Sequence, residues 1–294
     1  MKNSNTLIKL ALVMQLHLTR LVYNTFGRLW PNYFASRAFE LWLTSPRFKM
    51  HASEQSAAHS ARHESVKVNN LDIAVYIWPG KEADTDTGRT LLFIHGWSGR
   101  GTQVANYIEP LGQAGYRIVS FDAPAHGRTS GKQTSMLEFT DVVLALEKTW
   151  GPFDAALTHS LGGMVLPFAM SQGLAVKKAV CICPPDTLER LMENFQEVLA
   201  MPAGVRKAIE RKSFAAYGQV TRDWINVLNN VQHLDCPALI IHDRDDNDTP
   251  VDSSEKIARA WPGAKLMLTD RLGHRRILHD EVVIKAACEF LSPH

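Results

Sequence analysis

Cysteine is scarce in this sequence, and none of the cysteines has the spacing of a metal site. The 294 residues contain four cysteines, and two of them, Cys181 and Cys183, are separated by one residue on a predicted buried strand. An extended chain places such a pair badly for a disulfide bond. The scarcity argues against a disulfide scaffold or a cysteine-ligated metal module, and it favours reduced core thiols in a cytoplasmic protein.

The sequence also lacks an excess of charge of either sign. Lysine and arginine number 32, aspartate and glutamate number 30, and the formal net charge is +2. No basic run is present that could follow a nucleic-acid backbone, and we therefore expect no nucleic-acid partner. The apolar share of 45% and the charged share of 21% are those of an ordinary globular protein.

A long uninterrupted apolar run is missing as well. The N-terminal apolar stretch covers residues 6–22 and is interrupted by Lys9 and Arg20, whereas a membrane-spanning helix needs about 20 mostly apolar residues. The stretch also lacks the small-residue cleavage site of a signal peptide. We expect an N-terminal helix packed on the body of the protein. A helix lying on a membrane surface and a weak membrane span stay open as alternatives, so the expected location is cytoplasmic, with membrane association left open.

From residue 66 onward the sequence alternates between strands and helices. Several strands are continuous apolar runs, which is typical of parallel strands covered by helices on both faces. The predicted strands are residues 66–69, 73–78, 90–95, 116–121, 153–158, 178–183, 238–242 and 265–269. The predicted helices are residues 102–114, 136–149, 161–172, 252–261 and 281–291. This pattern predicts an α/β fold, with a mostly parallel eight-stranded sheet and helices on both faces.

The alternation stops between residues 184 and 234. Apolar residues at helical spacing predict three helices there, at residues 186–199, 203–216 and 220–229. Because this helical insert follows the sixth strand, we expect it to lie over the strand ends as a lid, with a rigid packing subdomain as the alternative. The predicted organisation is an N-terminal helical arm at residues 1–65 and a main domain at residues 66–294.

A candidate nucleophile lies directly after the fifth predicted strand. Ser160 stands between an apolar run and a segment that begins with Gly162 and Gly163. A serine on a sharp turn between strand and helix is a nucleophile elbow, in which the strained backbone exposes the hydroxyl above the sheet. The glycines let the following helix pack closely, and the helix N-terminus points its amides at an oxyanion formed at the serine.

A second segment predicts the oxyanion-binding amides. The third predicted strand ends in His95-Gly96-Trp97, where the backbone turns with free N–H groups. An acyl-transfer site needs two such groups facing the developing negative oxygen. We assign them to the backbone N–H of Trp97 and to the backbone N–H of Leu161, the residue after the serine.

Two further loops supply the acid and the histidine. The strand at residues 238–242 is followed by a loop with Asp243, Asp245 and Asp246, and the strand at residues 265–269 is followed by a loop with His274. The order along the chain is therefore nucleophile, acid, histidine, each after a strand. The carboxyl ends of the strands in such a sheet are where ligands bind.

With these segments the chain resembles the α/β-hydrolase family from about residue 66 to its end. The family's acid loop commonly reads G-x-x-D-x-x-x-P, and alignment on Pro250 places Asp246 at the acid. The resemblance then makes Ser160, Asp246 and His274 a catalytic triad. The chain departs from the family pattern at Thr158 and Asp243, each of which stands where the family usually has glycine, and Asp243 and Asp245 stay open as alternative acids.

The predicted function is that of a serine-dependent hydrolase acting on a carboxylic ester or thioester through an acyl-enzyme at Ser160. No cofactor and no metal is expected, and the expected partner is a small-molecule substrate. Hydrolysis of an amide, a carbon–carbon bond or a lipid stays open, since one fold supports all of them. Two further alternatives are a non-catalytic protein that binds a small molecule and a membrane-associated, lipase-like enzyme that contacts the membrane through its N-terminal helix.

Overall fold

The computed structural model describes residues 2–80, 88–218 and 225–292. The chain divides into two compact units. The larger unit comprises Thr44–Thr187 and Trp224–His294. The smaller unit comprises Met1–Leu43 and Leu188–Asp223. This partition differs from the predicted division at residue 65, because the N-terminal helices and part of the insert belong to the same unit.

The larger unit is built on a mixed sheet of eight strands. These are β1 (Arg62–Val68), β2 (Leu71–Trp78), β3 (Arg89–Ile94), β4 (Tyr116–Phe121), β5 (Phe153–His159), β6 (Val176–Ile182), β7 (Ala238–Asp243) and β8 (Lys265–Thr269). Their order across the sheet is β1-β2-β4-β3-β5-β6-β7-β8. Strand β2 runs antiparallel to β1 and β4, and the remaining neighbours are parallel. The predicted fold class is confirmed.

A tight hairpin joins β1 to β2 at one edge of the sheet. Asn69 and Asn70 both have positive φ angles, of 47° and 65°. Two consecutive residues in this region are typical of a type I′ turn, whose twist matches that of the flanking strands, and asparagine tolerates the conformation well. Strand β1 pairs with β2 from Val68 back to Arg62, so it begins four residues before its predicted start at residue 66.

Both faces of the sheet are buried at its centre. Consecutive residues of β3, from Leu91 to Ile94, have no exposed surface, although neighbouring side chains of a strand point to opposite faces. The helices of the larger unit are α3 (Ala52–Ser60), α4 (Ala105–Gln113), α5 (Met136–Trp150), α6 (Gly162–Ser171), α9 (Val227–Val231), α10 (Val251–Ala260), α11 (Gly273–Arg276) and α12 (Glu281–Leu291). Helices α3, α4 and α12 contribute apolar side chains to a core cluster that also contains Leu91 and Phe93.

One predicted helix, at residues 102–114, is divided in the structure. A 3₁₀ turn covers Gly101–Val104, and α4 begins at Ala105. The reason lies in the contacts of Gly101, whose N–H donates to Asp122 Oδ1 at 2.8 Å and whose carbonyl accepts from Ser120 Oγ at 3.0 Å. The first turn is therefore fixed to the end of β4.

The smaller unit contains four helices among the described residues. They are α1 (Lys2–Phe26), α2 (Pro31–Leu43), α7 (Leu188–Val198) and α8 (Ala203–Tyr217). Its apolar core joins the helix pair α1 and α2 to the pair α7 and α8. The core consists of the side chains of Tyr23, Ala35, Ala38, Leu199, Met201, Val205, Ala208 and Ile209. The predicted third helix of the insert, residues 220–229, lies partly outside the described residues, and α9 begins at Val227. The lid position of the insert stays a prediction.

No helix in the described part of the chain is long and apolar enough to cross a lipid bilayer.

Candidate active site

Ser160 lies on a sharp turn between β5 and α6. Its φ angle is +53°, in the left-handed region that a residue with a side chain rarely adopts. The turn is fixed on both sides, because Ser160 N–H donates to the carbonyl of Ile182 at 2.9 Å and Gly163 N–H donates to the carbonyl of Ser160 at 2.8 Å. A strained, externally supported backbone of this kind is what we predicted at the candidate nucleophile.

Two glycines let the backbone approach the turn closely. A Cβ atom placed on Gly96 would lie 2.7 Å from Ser160 Cβ and 3.3 Å from its Oγ. A Cβ atom on Gly162 would lie 2.2 Å from the carbonyl oxygen of Ile94. A side chain at Gly96 would collide with Ser160, and a side chain at Gly162 would collide with the end of β3, so both positions require glycine. Thr158, at the usual first glycine, is fully buried, and its hydroxyl donates to the carbonyl of Val180 at 3.4 Å.

The loop that follows β3 is supported by two buried histidines. His95 Nε2 accepts from Ala123 N–H at 3.1 Å, and His126 Nε2 accepts from Ser98 N–H at 2.9 Å. Burial lowers the pKa of His95 to about 4 and that of His126 to about 3, so both imidazoles are neutral at pH 7 and can accept these bonds. Ser98 has a φ of +59°, and the bond to His126 stabilises this turn.

The backbone N–H groups of Trp97 and Leu161 donate no hydrogen bond to any other group in the part of the chain that the structure describes. Leu161 lies directly before α6, where the first amides of a helix are unpaired. Trp97 follows Gly96, which touches Ser160. Two free donors at these positions are what the predicted oxyanion hole requires.

Asp246 and His274 form a hydrogen bond between the loops after β7 and β8. His274 Nδ1 lies 2.7 Å from Asp246 Oδ2. The Asp246 side chain is fully buried, whereas 10% of the His274 side chain is exposed. The other oxygen of Asp246 accepts the N–H groups of Asp248 and Thr249 at 2.8 and 2.9 Å. The carboxylate therefore has a fixed orientation toward the imidazole.

A second histidine, His242, also contacts this carboxylate. Its Nε2 lies 3.4 Å from Asp246 Oδ2 and 3.0 Å from the carbonyl of Thr249. Burial alone would raise the pKa of Asp246, but hydrogen bonds from His242 and His274 outweigh burial and place the pKa well below the usual carboxyl range. Asp246 is consequently ionised at neutral pH.

His159 connects the turn at Ser160 to the loop after β8 that carries His274, which we call the histidine loop. Its Nε2 lies 2.8 Å from the carbonyl oxygen of His274, and the two rings are 4.8 Å apart. Because the partner is a carbonyl, Nε2 must carry the proton and donate it. Burial, together with the neighbouring His274, lowers the pKa of His159 to about 3. The residue beside Ser160 is thus a neutral donor that fixes the backbone of His274.

The two alternative acids have other partners. Asp243 is fully buried and accepts hydrogen bonds from the backbone of residues 272 and 273. Asp245 is exposed, and its carboxylate accepts the N–H of Arg271 at 2.8 Å. Neither carboxylate binds the His274 ring. Of the three aspartates, Asp246 has the geometry of a triad acid.

One cluster among the described residues brings together potential metal ligands, namely Cys183, Asp246 and His274, whose ligand atoms lie within 4.8 Å of one another. In this cluster the imidazole and the carboxylate already share a hydrogen bond. Burial also raises the pKa of the Cys183 thiol well above its usual value, which disfavours the thiolate that a metal needs. The cluster is therefore better described as the acid–histidine pair with a neutral thiol beside it.

His242 and Cys183 were not predicted as neighbours of Asp246. His242 is a polar residue at the end of an apolar strand, four positions before Asp246. This was the one sequence feature that could have indicated its contact with Asp246. Cys183 follows β6, and no sequence pattern connects it to the loop after β7. Its φ of +50° and its burial appear only in the folded chain.

Comparison with known proteins agrees with this architecture. The sequence profile described as the alpha/beta hydrolase family matches residues 91–286, and the chain belongs to that family. The predicted family membership and the prediction of a hydrolase are confirmed.

Individual relatives are distant. The chain is 25% identical over 206 residues to the esterase YjfP of Escherichia coli strain K12. The aligned region covers 64% of this chain and 81% of the relative. The esterase Pf2001 of Pyrococcus furiosus has a similar structure, with a TM-score of 0.60 and 20% identity over 85% of this chain and 96% of its own. A bacterial membrane phospholipase A has a TM-score of 0.60 and 20% identity over 99% of this chain and 98% of its own.

The contact between Gly96 and Ser160 leads to a first prediction. The methyl group of Gly96→Ala should displace the oxyanion turn from the serine and lower kcat by about 100- to 1,000-fold, the range for loss of one oxyanion donor. Turnover of a p-nitrophenyl ester and a thermal melt measure this. Gly112→Ala is the matched control, since its added Cβ has its nearest neighbour at 3.9 Å. A folded Gly96→Ala variant with wild-type kcat would contradict the assignment.

Proposed function

We propose that this chain is a serine esterase that hydrolyses a carboxylic ester or thioester through an acyl-enzyme at Ser160. The observation that carries the proposal is the buried Asp246–His274 pair, at 2.7 Å, which the bond from His159 to His274 links to the nucleophile turn. Similarity to the E. coli esterase YjfP supports an ester as substrate.

In the proposed mechanism, His274 accepts the proton of Ser160 as the hydroxyl oxygen attacks the carbonyl carbon of the substrate. Asp246 fixes the imidazole tautomer and stabilises the cation that forms. The N–H groups of Trp97 and Leu161 bind the negative oxygen of the tetrahedral intermediate. His274 then protonates the leaving alcohol or thiol, and water activated by the same histidine releases the acid and restores Ser160.

The proposed chemistry predicts covalent labelling at one residue. A fluorophosphonate should add once to the wild-type protein and not at all to Ser160→Ala, which should stay folded because Ser160 is only half-buried. Intact-mass spectrometry measures the adduct, and circular dichroism confirms the fold of the variant. A well-folded wild type without an adduct would favour the alternative of a binding protein without turnover.

The assignment of the acid is tested by two matched aspartate variants. Asp246→Asn should lower kcat by about 10,000-fold, since the amide favours the wrong imidazole tautomer. Asp245→Asn should have little effect, because its side-chain oxygen can still accept from Arg271 N–H. Steady-state kinetics with one ester substrate compares the two variants. Equal losses would contradict Asp246 as the acid.

A membrane surface is the second candidate setting for this activity, and the exposed apolar surface of the smaller unit favours it. Side chains along α1, in the turn that follows it and at the start of α2 expose more than a third of their surface, namely Val13, Met14, Leu16, Leu18, Leu21, Phe26, Leu29, Trp30 and Tyr33. Five basic residues and no acidic one precede Glu40 in the sequence. An apolar helix with basic residues binds anionic lipid surfaces.

We therefore propose peripheral membrane contact through α1, with a lipid ester as one candidate substrate. The similarity of the whole fold to a membrane phospholipase A is consistent with this reading. Amide or carbon–carbon bond hydrolysis has no comparable observation in its favour. The cytoplasmic location stays a prediction.

Liposome flotation tests the membrane contact. The wild-type protein should float with phosphatidylglycerol vesicles more than with phosphatidylcholine vesicles, because the N-terminal segment is basic. The double variant Met14→Glu/Leu18→Glu should stay at the bottom of the gradient, since both side chains are exposed on α1. Val282→Glu, an exposed apolar position on α12, is the matched control and should float like the wild type. A wild type that floats with neither vesicle would contradict the proposal.

A further inference from the structure

The carboxylate of Asp243 accepts four hydrogen bonds at the end of β7. Its Oδ1 accepts the N–H of Asp245 at 3.0 Å and that of Gly273 at 2.8 Å. Its Oδ2 accepts the hydroxyl of Thr269 at 2.7 Å and the N–H of Leu272 at 3.1 Å. Three of these donors belong to β8 and to the loop that follows it. Asp243 therefore joins the acid loop to the histidine loop, and we call Asp243, Thr269, Leu272 and Gly273 the loop clamp.

The clamp fixes the residues immediately before His274. The N–H groups of Leu272 and Gly273 bind Asp243, the N–H of Arg271 binds Asp245, and the His274 ring binds Asp246. Four consecutive residues of one loop are thus each bound by a carboxylate of the other. His274 cannot shift relative to Asp246 without breaking several of these bonds.

The histidine loop needs such support because its backbone is unusual. Arg271 has a φ of +64° and Gly273 a φ of +65°. The left-handed conformation is unfavourable for arginine and persists only where surrounding contacts enforce it. The amides of Arg271 and Gly273 are both bound by carboxylates of the acid loop.

The Asp243 side chain has no exposed surface. Among the described residues, every group that donates a hydrogen bond to its carboxylate is uncharged. A buried carboxylate is stable as an anion only when its oxygens are fully hydrogen-bonded. Burial by itself would raise the pKa of Asp243, but the bonds from Gly273, Thr269, Leu272 and Asp245 outweigh burial and lower it. The charge is therefore used for binding backbone amides.

We propose that Asp243 is a positioning residue for catalysis, which holds the His274 loop in the register that brings the imidazole to Asp246. The inference rests on the proposed serine mechanism. It assigns a role to a residue that stands where the family pattern usually has glycine. Asp243 does not touch the reacting atoms and acts through the backbone of Leu272 and Gly273.

The test uses Asp243→Asn in the full chain, because an amide cannot satisfy all four donors. In one orientation the amide NH₂ faces the N–H of Leu272, and in the other it faces the N–H groups of Asp245 and Gly273. At least one backbone N–H must therefore move away from the amide NH₂ that faces it, because both groups are donors. Asp245→Asn is the matched control, since a carboxylate that accepts one N–H can be replaced by an amide oxygen.

The expected result is a split between kcat and KM. With a p-nitrophenyl ester, Asp243→Asn should lower kcat by about 10- to 100-fold, as expected for a displaced catalytic group, and should leave KM within about threefold. Asp245→Asn should keep the wild-type kcat. Hydrogen exchange at the amides of Leu272 and Gly273 should accelerate in Asp243→Asn. A purely structural role would lower the melting temperature and leave kcat unchanged well below that temperature, and this result would overturn the proposal.

A second variant decides the matter if Asp243→Asn does not fold. Thr269→Val removes one donor of the clamp and leaves the three backbone bonds, so it should fold and lower kcat by about two- to tenfold. A wild-type kcat for Thr269→Val would then overturn the proposal. Failure of the underlying mechanism is recognised separately, because the wild-type protein itself would then form no fluorophosphonate adduct.

Discussion

A carboxylate that is removed from water must find hydrogen-bond donors, and this requirement organises the loops on both sides of Ser160. Asp122, at the end of β4, has no exposed surface and accepts from the hydroxyl of Tyr76 and the N–H groups of Gly101 and Arg128. Asp243, at the end of β7, does the same for the histidine loop. Each of these side chains accepts from amides of a neighbouring loop, so the loops become fixed relative to the strands. The loops that carry Trp97 and His274 are each bound by one of these two buried side chains.

The turn at Ser160 is supported in a different way. The positive φ of Ser160 is stabilised by a backbone bond to Ile182 and by the close approach of Gly96 and Gly162. Neutral, buried histidines complete the arrangement, because an imidazole with a lowered pKa can accept from one backbone group and donate to another. His95 and His126 do this for the loop after β3, and His159 donates to the carbonyl of His274. Close packing and uncharged polar contacts thus hold the turn at Ser160 in place before any reaction at the serine.

Much of the fold could be predicted from the sequence, because continuous apolar strands and alternating helices are local signals. β4, β8 and α12 begin and end at the predicted residues, and alignment on Pro250 selected Asp246, which lies against His274. What could not be predicted depends on contacts between distant segments. The 3₁₀ turn before α4 depends on the contact of Gly101 with Asp122. His242 and Cys183 are brought next to Asp246 only by the folding of the chain. The presence of Asp243 where the family usually has glycine is explained only by its bonds to Leu272 and Gly273. The association of α1 and α2 with the insert likewise has no local sequence signal.

A crystal structure of the protein after reaction with a fluorophosphonate tests the proposed site most directly. We expect a covalent bond from Ser160 Oγ to phosphorus, with the phosphoryl oxygen within hydrogen-bond distance of the N–H groups of Trp97 and Leu161 and with His274 still bound to Asp246. An adduct at another residue, or a phosphoryl oxygen that faces neither amide, would contradict the proposed site.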